Sequence, residues 1–221
     1  MPRRQFRSVR DPALLGDCYV DFKSVPDPLT SGSMFGDDAA VPLEIEIGSG
    51  KGMFLSGVAP ANPGVRFVGI EIVTKYAKLA AARVAKTGAS NAVVIGGDAI
   101  KIIRDKVPDA SVDAVHVYFP DPWWKKKHRE RRVVTDTTID QIERVIRPGG
   151  RLHFWTDVLD YFEDTIELIA QRAPVLGVPF PETVADASHE LEYQTHFERR
   201  SRLNAIPVYR VRYQKRPQKI S

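Results

Sequence analysis

A single cysteine, Cys18, in 221 residues excludes a disulfide framework and any zinc site built from cysteines. None of the five histidines has a partner at metal-ligand spacing, so no metal is expected. No run of about 18 apolar residues occurs, and the charged N-terminus lacks the apolar stretch that directs secretion. The expectation is a cytoplasmic protein with no membrane segment. Internal repeats and low-complexity blocks are lacking as well.

Two phosphate-binding templates are also missing. Gly48-Ser49-Gly50-Lys51-Gly52 follows the strand-like Leu43-Glu44-Ile45-Glu46-Ile47 and precedes a helical stretch to about Ala59. A dinucleotide fingerprint needs its third glycine where Met53 stands, and a P-loop needs Ser or Thr where Gly52 stands. The turn still lets backbone N–H groups come close to a ligand, because its glycines carry no Cβ. That ligand need not carry a pyrophosphate.

What is present is an ordinary apolar content of 43% with a net charge of +4, enough for a core in one large domain. The charge is concentrated at the two ends, with Arg3, Arg4, Arg7 and Arg10 at one and Arg210, Arg212, Lys215, Arg216 and Lys219 at the other. Residues 1–40 lack sustained periodicity and read as an extended basic arm. Beyond them, strand and helix alternate five times: strands at Leu43–Ile47, Arg66–Glu71, Ala92–Ile95, Val112–Tyr118 and Arg151–Trp155, with helices following each. Later strands are expected around Leu191–Phe197 and Val208–Tyr213. This predicts a mostly parallel seven-stranded α/β sheet covered by helices on both faces.

Four acids fall at or just beyond the ends of successive strands: Glu46, Glu71, Asp98 and Asp121. In an open α/β sheet these ends form the ligand crevice. Glu71 stands 21 residues after Gly50, where an acid accepts hydrogen bonds from ribose hydroxyls; as a bland alternative it complements the dipole of the next helix. Asp98 is equally suited to cap a helix. A ligand ringed by acids should carry positive charge or many donors, and S-adenosylmethionine has a sulfonium, an ammonium, ribose hydroxyls and an adenine amine. A phosphate-rich cofactor would be repelled.

The stretch from Tyr118 to Arg132 has no use in a core. Asp121 lies between Pro120 and Pro122, Trp123 and Trp124 follow, and the chain then runs into six Lys and Arg residues with one acid, Glu130, among them. Proline restricts the residue before it, so Phe119 and Asp121 are expected to be extended. Aromatic faces beside a basic run suit RNA. A solvated basic helix start is the bland alternative for the charges, and the caged Asp121 argues against it.

Glu46-Ile47-Gly48-Ser49-Gly50-Lys51-Gly52, Gly69-Ile70-Glu71, Gly97-Asp98-Ala99, Phe119-Pro120-Asp121-Pro122-Trp123, Thr156-Asp157 and Thr195-His196-Phe197-Glu198 together resemble the tRNA (guanine-N7)-methyltransferases. The Phe-Pro-Asp-Pro-Trp box with its basic tail is the specific part. The resemblance implies a Rossmann-like class I methyltransferase fold over residues 41–221. It also implies S-adenosylmethionine as cofactor, and as reaction the methylation of N7 of the guanine conventionally numbered 46 in the tRNA variable loop. Carried onto matching positions, Glu46, Gly48, Gly50, Glu71, Asp98 and Asp121 line the cofactor site, and Asp121 is also the catalytic residue. Lys125, Asp157, Thr195, His196, Phe197 and Glu198 face the substrate, and Lys127, His128, Arg129, Glu130, Arg131 and Arg132 contact RNA. The partner implied is tRNA, to a monomer or homodimer with neither metal nor membrane. Two positions depart from the pattern: Trp124 stands where relatives often have His, and Arg200 to Tyr209 replaces a glycine-containing tail. A small-molecule methyltransferase would leave the basic run unexplained, and a non-catalytic RNA-binding scaffold would have lost the acids.

Overall fold

A computed structural model describes residues 9, 11–36, 41–123, 132–182 and 195–217. Its centre is a sheet of eight strands: β1 (Tyr19–Asp21), β2 (Leu43–Ile47), β3 (Arg66–Glu71), β4 (Ala92–Gly96), β5 (Val112–Tyr118), β6 (Ile146–Thr156), β7 (Phe180–Pro181) and β8 (Tyr209–Gln214). Their spatial order is β1-β4-β3-β2-β5-β6-β8-β7. The first six pair in parallel, and β8 runs antiparallel to both β6 and β7. The helices are α1 (Ser31–Phe35), α2 (Met53–Ala61), α3 (Thr74–Ala85), α4 (Ala99–Lys106), α5 (Asp136–Val145), α6 (Leu159–Arg172) and α7 (His196–Leu203).

The chain moves outward from β2 through β3 to β4, then returns to lay β5 on the other side of β2. That reversal opens a crevice at the C-terminal ends of β2 and β5, the position where open α/β sheets bind ligands. Alternation along the strands builds the two faces. Ile45, Ile47, Ile70, Ile95, Val115, Val117, Leu152 and Phe154 point to one face and pack with Ile102, Ile139, Ile142 and Ile169 from α4, α5 and α6. Phe67, Ala92 and Val94 point to the other and meet Leu55 of α2 and the small stripe Ala77, Ala80, Ala81 and Val84 of α3.

Three expectations need correction. The segment read as an extended arm contributes β1, which pairs Tyr19 with Val94, and places Val25 and Leu29 in the core. Lys106 fastens it, its ammonium donating to the Val25 carbonyl at 2.9 Å while its own carbonyl accepts from the Leu29 N–H at 2.8 Å. Irregularly spaced anchors of this kind leave no period to detect. Among the described residues the sheet has eight strands where seven were expected, because β1 and β7 are too short to show alternation. Residues 191–194 of the strand expected at Leu191–Phe197 lie outside the described residues, and His196 and Phe197 begin α7.

Candidate active site

The glycine turn is shaped by what lies beneath it. Gly48 and Ser49 donate their backbone N–H groups to the Ile70 carbonyl at 2.8 and 3.1 Å, folding the turn back over the end of β3. Gly69 permits this seating, since a Cβ there would stand 2.4 Å from Ser49 Oγ and 2.3 Å from Leu55 Cδ1. Gly52 touches α3, where a Cβ would meet the Ala80 Cα at 2.7 Å. Gly48 and Gly50 have positive φ of 79° and 53°, and a Cβ on either would meet no protein atom within 4 Å. The backbone there faces open space.

Glu71 is tied to the same turn. One carboxylate oxygen accepts from the Gly50 N–H at 2.9 Å and the other from the Val73 N–H at 2.8 Å. It steadies the entry to α3, and each oxygen keeps a further lone pair. Burial, and less strongly the charge of Asp121, raise its carboxyl above the ordinary value, with the two N–H donors offsetting part of the rise. Glu46 is 4% exposed. Burial and then the charge of Glu71 push its carboxyl up to about 8, the Ser49 hydroxyl opposing them. Its Oε2 has no hydrogen-bond partner among the described residues. Glu71 thus lies within electrostatic reach of both Glu46 and Asp121. Asp98 sits one strand further out, where its Oδ1 caps α4 by accepting from the N–H groups of Ile100 and Lys101 at 2.9 and 3.2 Å.

Asp121 is exposed, and no hydrogen bond to its carboxylate is formed by the described residues. The chain leading to it is unusual. Phe119, expected extended ahead of Pro120, has φ of 49°, and Trp123 has φ of 40°. Phe119 still donates its N–H to the Trp155 carbonyl at 2.7 Å and buries its ring. Proline disfavours the right-handed region for the preceding residue, so a turn that keeps this last ladder bond goes left-handed. Arg132, read as an RNA contact, is turned inward: Nε donates to the Pro122 carbonyl at 2.8 Å and its guanidinium lies over the Tyr161 ring. Lys125, Lys127, His128, Arg129, Glu130 and Arg131 lie outside the described residues.

Among the residues expected to face the substrate, Asp157 follows β6 and accepts from the Ser201 hydroxyl at 2.9 Å. Thr195 caps α7, its hydroxyl oxygen accepting from the Glu198 N–H at 2.9 Å. The Glu198 side chain is 1% exposed and accepts from Arg210 Nη2 at 3.1 Å, while Arg210 lies over the Trp155 ring. Thr195 and Glu198 therefore shape and dock α7. His196 and Phe197 occupy its first turn.

Sequence reasoning passed over a buried polar network beside these residues. His116 joins Glu44 through Nε2 and Tyr118 through Nδ1, both at 2.8 Å, and stacks on His153. His153 Nδ1 and Trp155 Nε1 each reach one oxygen of Glu182 at 2.7 Å. Burial holds His116 below its ordinary value despite Glu44. Burial would raise Glu44, but the His116 hydrogen bond and the nearby Arg151 and His153 outweigh it and hold the carboxyl low. A neutral His116 beside an ionised Glu44 must donate from Nε2 and accept the Tyr118 O–H at Nδ1. The signal was the alternation of Glu44, His116, Tyr118, His153 and Trp155 with apolar neighbours. Ile72, 70% exposed directly after Glu71, offers an apolar face beside the crevice that periodicity could not mark. Among the described residues no cluster of three or more His, Cys, Asp or Glu could hold a metal, and no helix is long and apolar enough to cross a membrane.

A family model described as a putative methyltransferase matches residues 40–211. A tRNA (guanine-N(7)-)-methyltransferase of Rhodopirellula baltica is 56% identical over 179 residues, covering 79% of this chain and 66% of that protein. One from Nitrosococcus oceani is 33% identical over 171 residues, covering 77% of this chain and 70% of that protein. Another from Bacillus licheniformis is 33% identical over 173 residues, with 76% and 78% covered. This chain thus spans just under two thirds of the Rhodopirellula protein and somewhat more of the other two. Among solved structures, the 16S rRNA methyltransferase KamB superposes with a TM-score of 0.60 at 16% identity, covering 85% of this chain and 95% of that one. The aminoglycoside resistance methyltransferase NpmB1 gives 0.54 at 18% identity, with 84% and 94% covered. These likenesses establish the Rossmann-like class I methyltransferase fold.

Proposed function

We propose, from the premise that this chain belongs to the tRNA (guanine-N(7)-)-methyltransferase family, that it transfers the methyl group of S-adenosylmethionine to N7 of the variable-loop guanine of tRNA. The observation that carries the reading is the acid cluster at the switch point, where Glu71 holds a turn whose Gly48 and Gly50 open onto free space and lies within electrostatic reach of both Glu46 and Asp121. Such a cluster disfavours phosphate and favours a cation rich in donors. When bound, S-adenosylmethionine supplies an electrophilic methyl on a sulfonium. Glu71 keeps lone pairs for ribose hydroxyls, Ile72 offers an apolar face for adenine, Glu46 accepts from the ammonium, and Gly48, Gly50 and Asp98 complete the cofactor wall.

The acceptor N7 has a free lone pair and no proton to remove, so a strong general base has no task here. Rate comes from in-line placement and from stabilising the positive charge that builds on the purine. Asp121, mounted between two prolines, orients the guanine against the methyl and stabilises that charge. Asp157, its Oδ2 already steadied by Ser201, accepts from the guanine N1–H and N2–H edge. Thr195 and Glu198 act through the docking of α7, and the run from Lys125 to Arg131 binds the RNA backbone. The substrate puts the enzyme in the cytoplasm.

The test is incubation with labelled S-adenosylmethionine and bulk unmodified tRNA, followed by nucleoside analysis. Label in 7-methylguanosine is expected. Asp121→Asn should slow single-turnover transfer by about 2 to 4 kcal/mol, the size typical of removing one electrostatic stabiliser, with little change in tRNA affinity. Label in another nucleoside, or none in tRNA, defeats the proposal.

A further inference from the structure

Arg132 ends a basic run, yet its side chain is only 13% exposed. Its guanidinium makes three contacts that leave little of it for a phosphate. Nε donates to the Pro122 carbonyl at 2.8 Å, Nη1 reaches Asp164 Oδ2 at 3.3 Å, and Cζ lies over the Tyr161 ring, 4.9 Å from its centroid. Tyr161 is buried in α6, and its hydroxyl accepts from the Val134 N–H at 3.4 Å. One planar cation therefore links the backbone beside Asp121 to the face of a core helix.

That link holds a part of the chain that would not hold itself. Phe119 and Trp123, on either side of Pro120-Asp121-Pro122, are both non-glycine residues with positive φ. Such conformations persist when surrounding contacts over-determine them. The Asp121 carboxylate is exposed, so its placement depends on the backbone that carries it. The Pro122 carbonyl belongs to the residue directly after Asp121, and Arg132 donates to it.

We infer that Arg132 is a positioning residue for Asp121, clamping the Asp-Pro turn to α6, and not a contact to the RNA backbone. The inference rests on the role given to Asp121 above. A guanidinium suits the task because Nε can donate along one edge while the plane stacks on an aromatic ring and the other edge meets a carboxylate. A lysine ammonium is a point charge and cannot do all three.

The experiment compares wild type, Arg132→Lys, Arg132→Ala, Asp121→Asn and the double variant Arg132→Lys with Asp121→Asn, using the full chain and unmodified tRNA. Thermal melting and cofactor affinity check folding, and Arg132→Lys keeps the test alive if the alanine variant does not fold. The tRNA dissociation constant is measured from about 50 to 200 mM salt, together with the single-turnover rate at saturating cofactor and tRNA. The clamp predicts that Arg132→Lys slows transfer about tenfold, the effect of losing one well-placed hydrogen bond, while tRNA affinity and its salt slope stay as in wild type. In the Asp121→Asn background the same change should have no further effect, because Arg132 acts through Asp121. A salt slope reduced by about 0.7 to 0.9 in Arg132→Ala and restored by Arg132→Lys at wild-type rate is the behaviour of a phosphate contact, and overturns the inference. Additive losses in the double variant overturn it as well. If Asp121→Asn slows transfer but Arg132→Lys does not, only the clamp fails; if Asp121→Asn transfers at wild-type rate, the role of Asp121 fails with it.

Discussion

Glu46→Gln probes the electrostatics on which cofactor binding depends. The Glu46 carboxyl is buried, its Oε2 has no partner among the described residues, and burial followed by the charge of Glu71 pushes it up to about 8 from an ordinary 4.5. At pH 7 it holds a proton until a cation arrives. Binding a sulfonium and an ammonium favours the carboxylate, so that proton must leave, at a cost of about 1.4 kcal/mol at pH 7 and about 2.7 kcal/mol at pH 6. Cofactor affinity should therefore rise about tenfold per pH unit between roughly pH 6 and pH 8 and level off above. Stability without cofactor runs the other way. The folded carboxyl keeps a proton that the unfolded chain has lost, so this contribution is full below about pH 4.5 and declines by about 1.4 kcal/mol per unit until roughly pH 8. His116, in register with Glu46, is held below its ordinary 6.5 chiefly by burial, against the pull of Glu44. Calorimetry at pH 7 in two buffers of different ionisation enthalpy should show release of about 0.9 proton per cofactor. Glutamine mimics the protonated acid, so Glu46→Gln should abolish both the release and the slope and should lower affinity at pH 8. A wild-type affinity that is flat from pH 6 to 8, or a slope that survives in the glutamine variant, refutes the reasoning.

Two further outcomes are expected. Gly52→Ala brings a Cβ to 2.7 Å from the Ala80 backbone at a φ of 71° and should cost at least about 2 kcal/mol, a fall of roughly 4 to 8 °C in melting temperature; Gly48→Ala, which meets nothing, should cost about 1 kcal/mol or so of backbone strain while still impairing cofactor binding. Ser201→Ala removes the hydroxyl bonded to Asp157 and should slow transfer to guanine by roughly 1 kcal/mol while narrowing the preference for guanine over inosine at the target position; an equal loss on both bases would reduce Ser201 to a packing role.

What could be read in the sequence was whatever repeats along an element. The central strands announce themselves because Leu43, Ile45 and Ile47, or Val115 and Val117, alternate with residues of the other face, and α4 because Asp98 caps it. Elements that depend on distant partners could not be read. β1 exists because β4 offers it an edge, and β7 spans two residues against β8. Thr195-His196-Phe197 has a β-branched residue and an aromatic, which favours a strand by propensity, but the Thr195 hydroxyl accepts from the Glu198 N–H and starts a helix instead. In the basic run, like charges look alike. Only the position of Tyr161 and Asp164 on α6 shows that Arg132 faces inward.

The same limit applies to the acids of β2. Glu44 and Glu46 stand two residues apart on one face of one strand, and the pattern Leu-Glu-Ile-Glu-Ile gives no reason to separate them. Register separates them. Glu44 lies opposite Ala114, whose small side chain leaves Glu44 room to reach along β5 to His116 and across to Arg151. Its carboxyl is held low, and it belongs to the scaffold. Glu46 lies opposite His116 itself, but that ring has given Nε2 to Glu44 and Nδ1 to Tyr118. Glu46 consequently meets no cation from this neighbour, and burial and the charge of Glu71 raise its carboxyl against the opposing Ser49 hydroxyl. A buried acid in that state is costly to ionise until a positive ligand completes it. The double commitment of His116 therefore assigns Glu44 to structure and leaves Glu46 available for the cofactor role proposed for it.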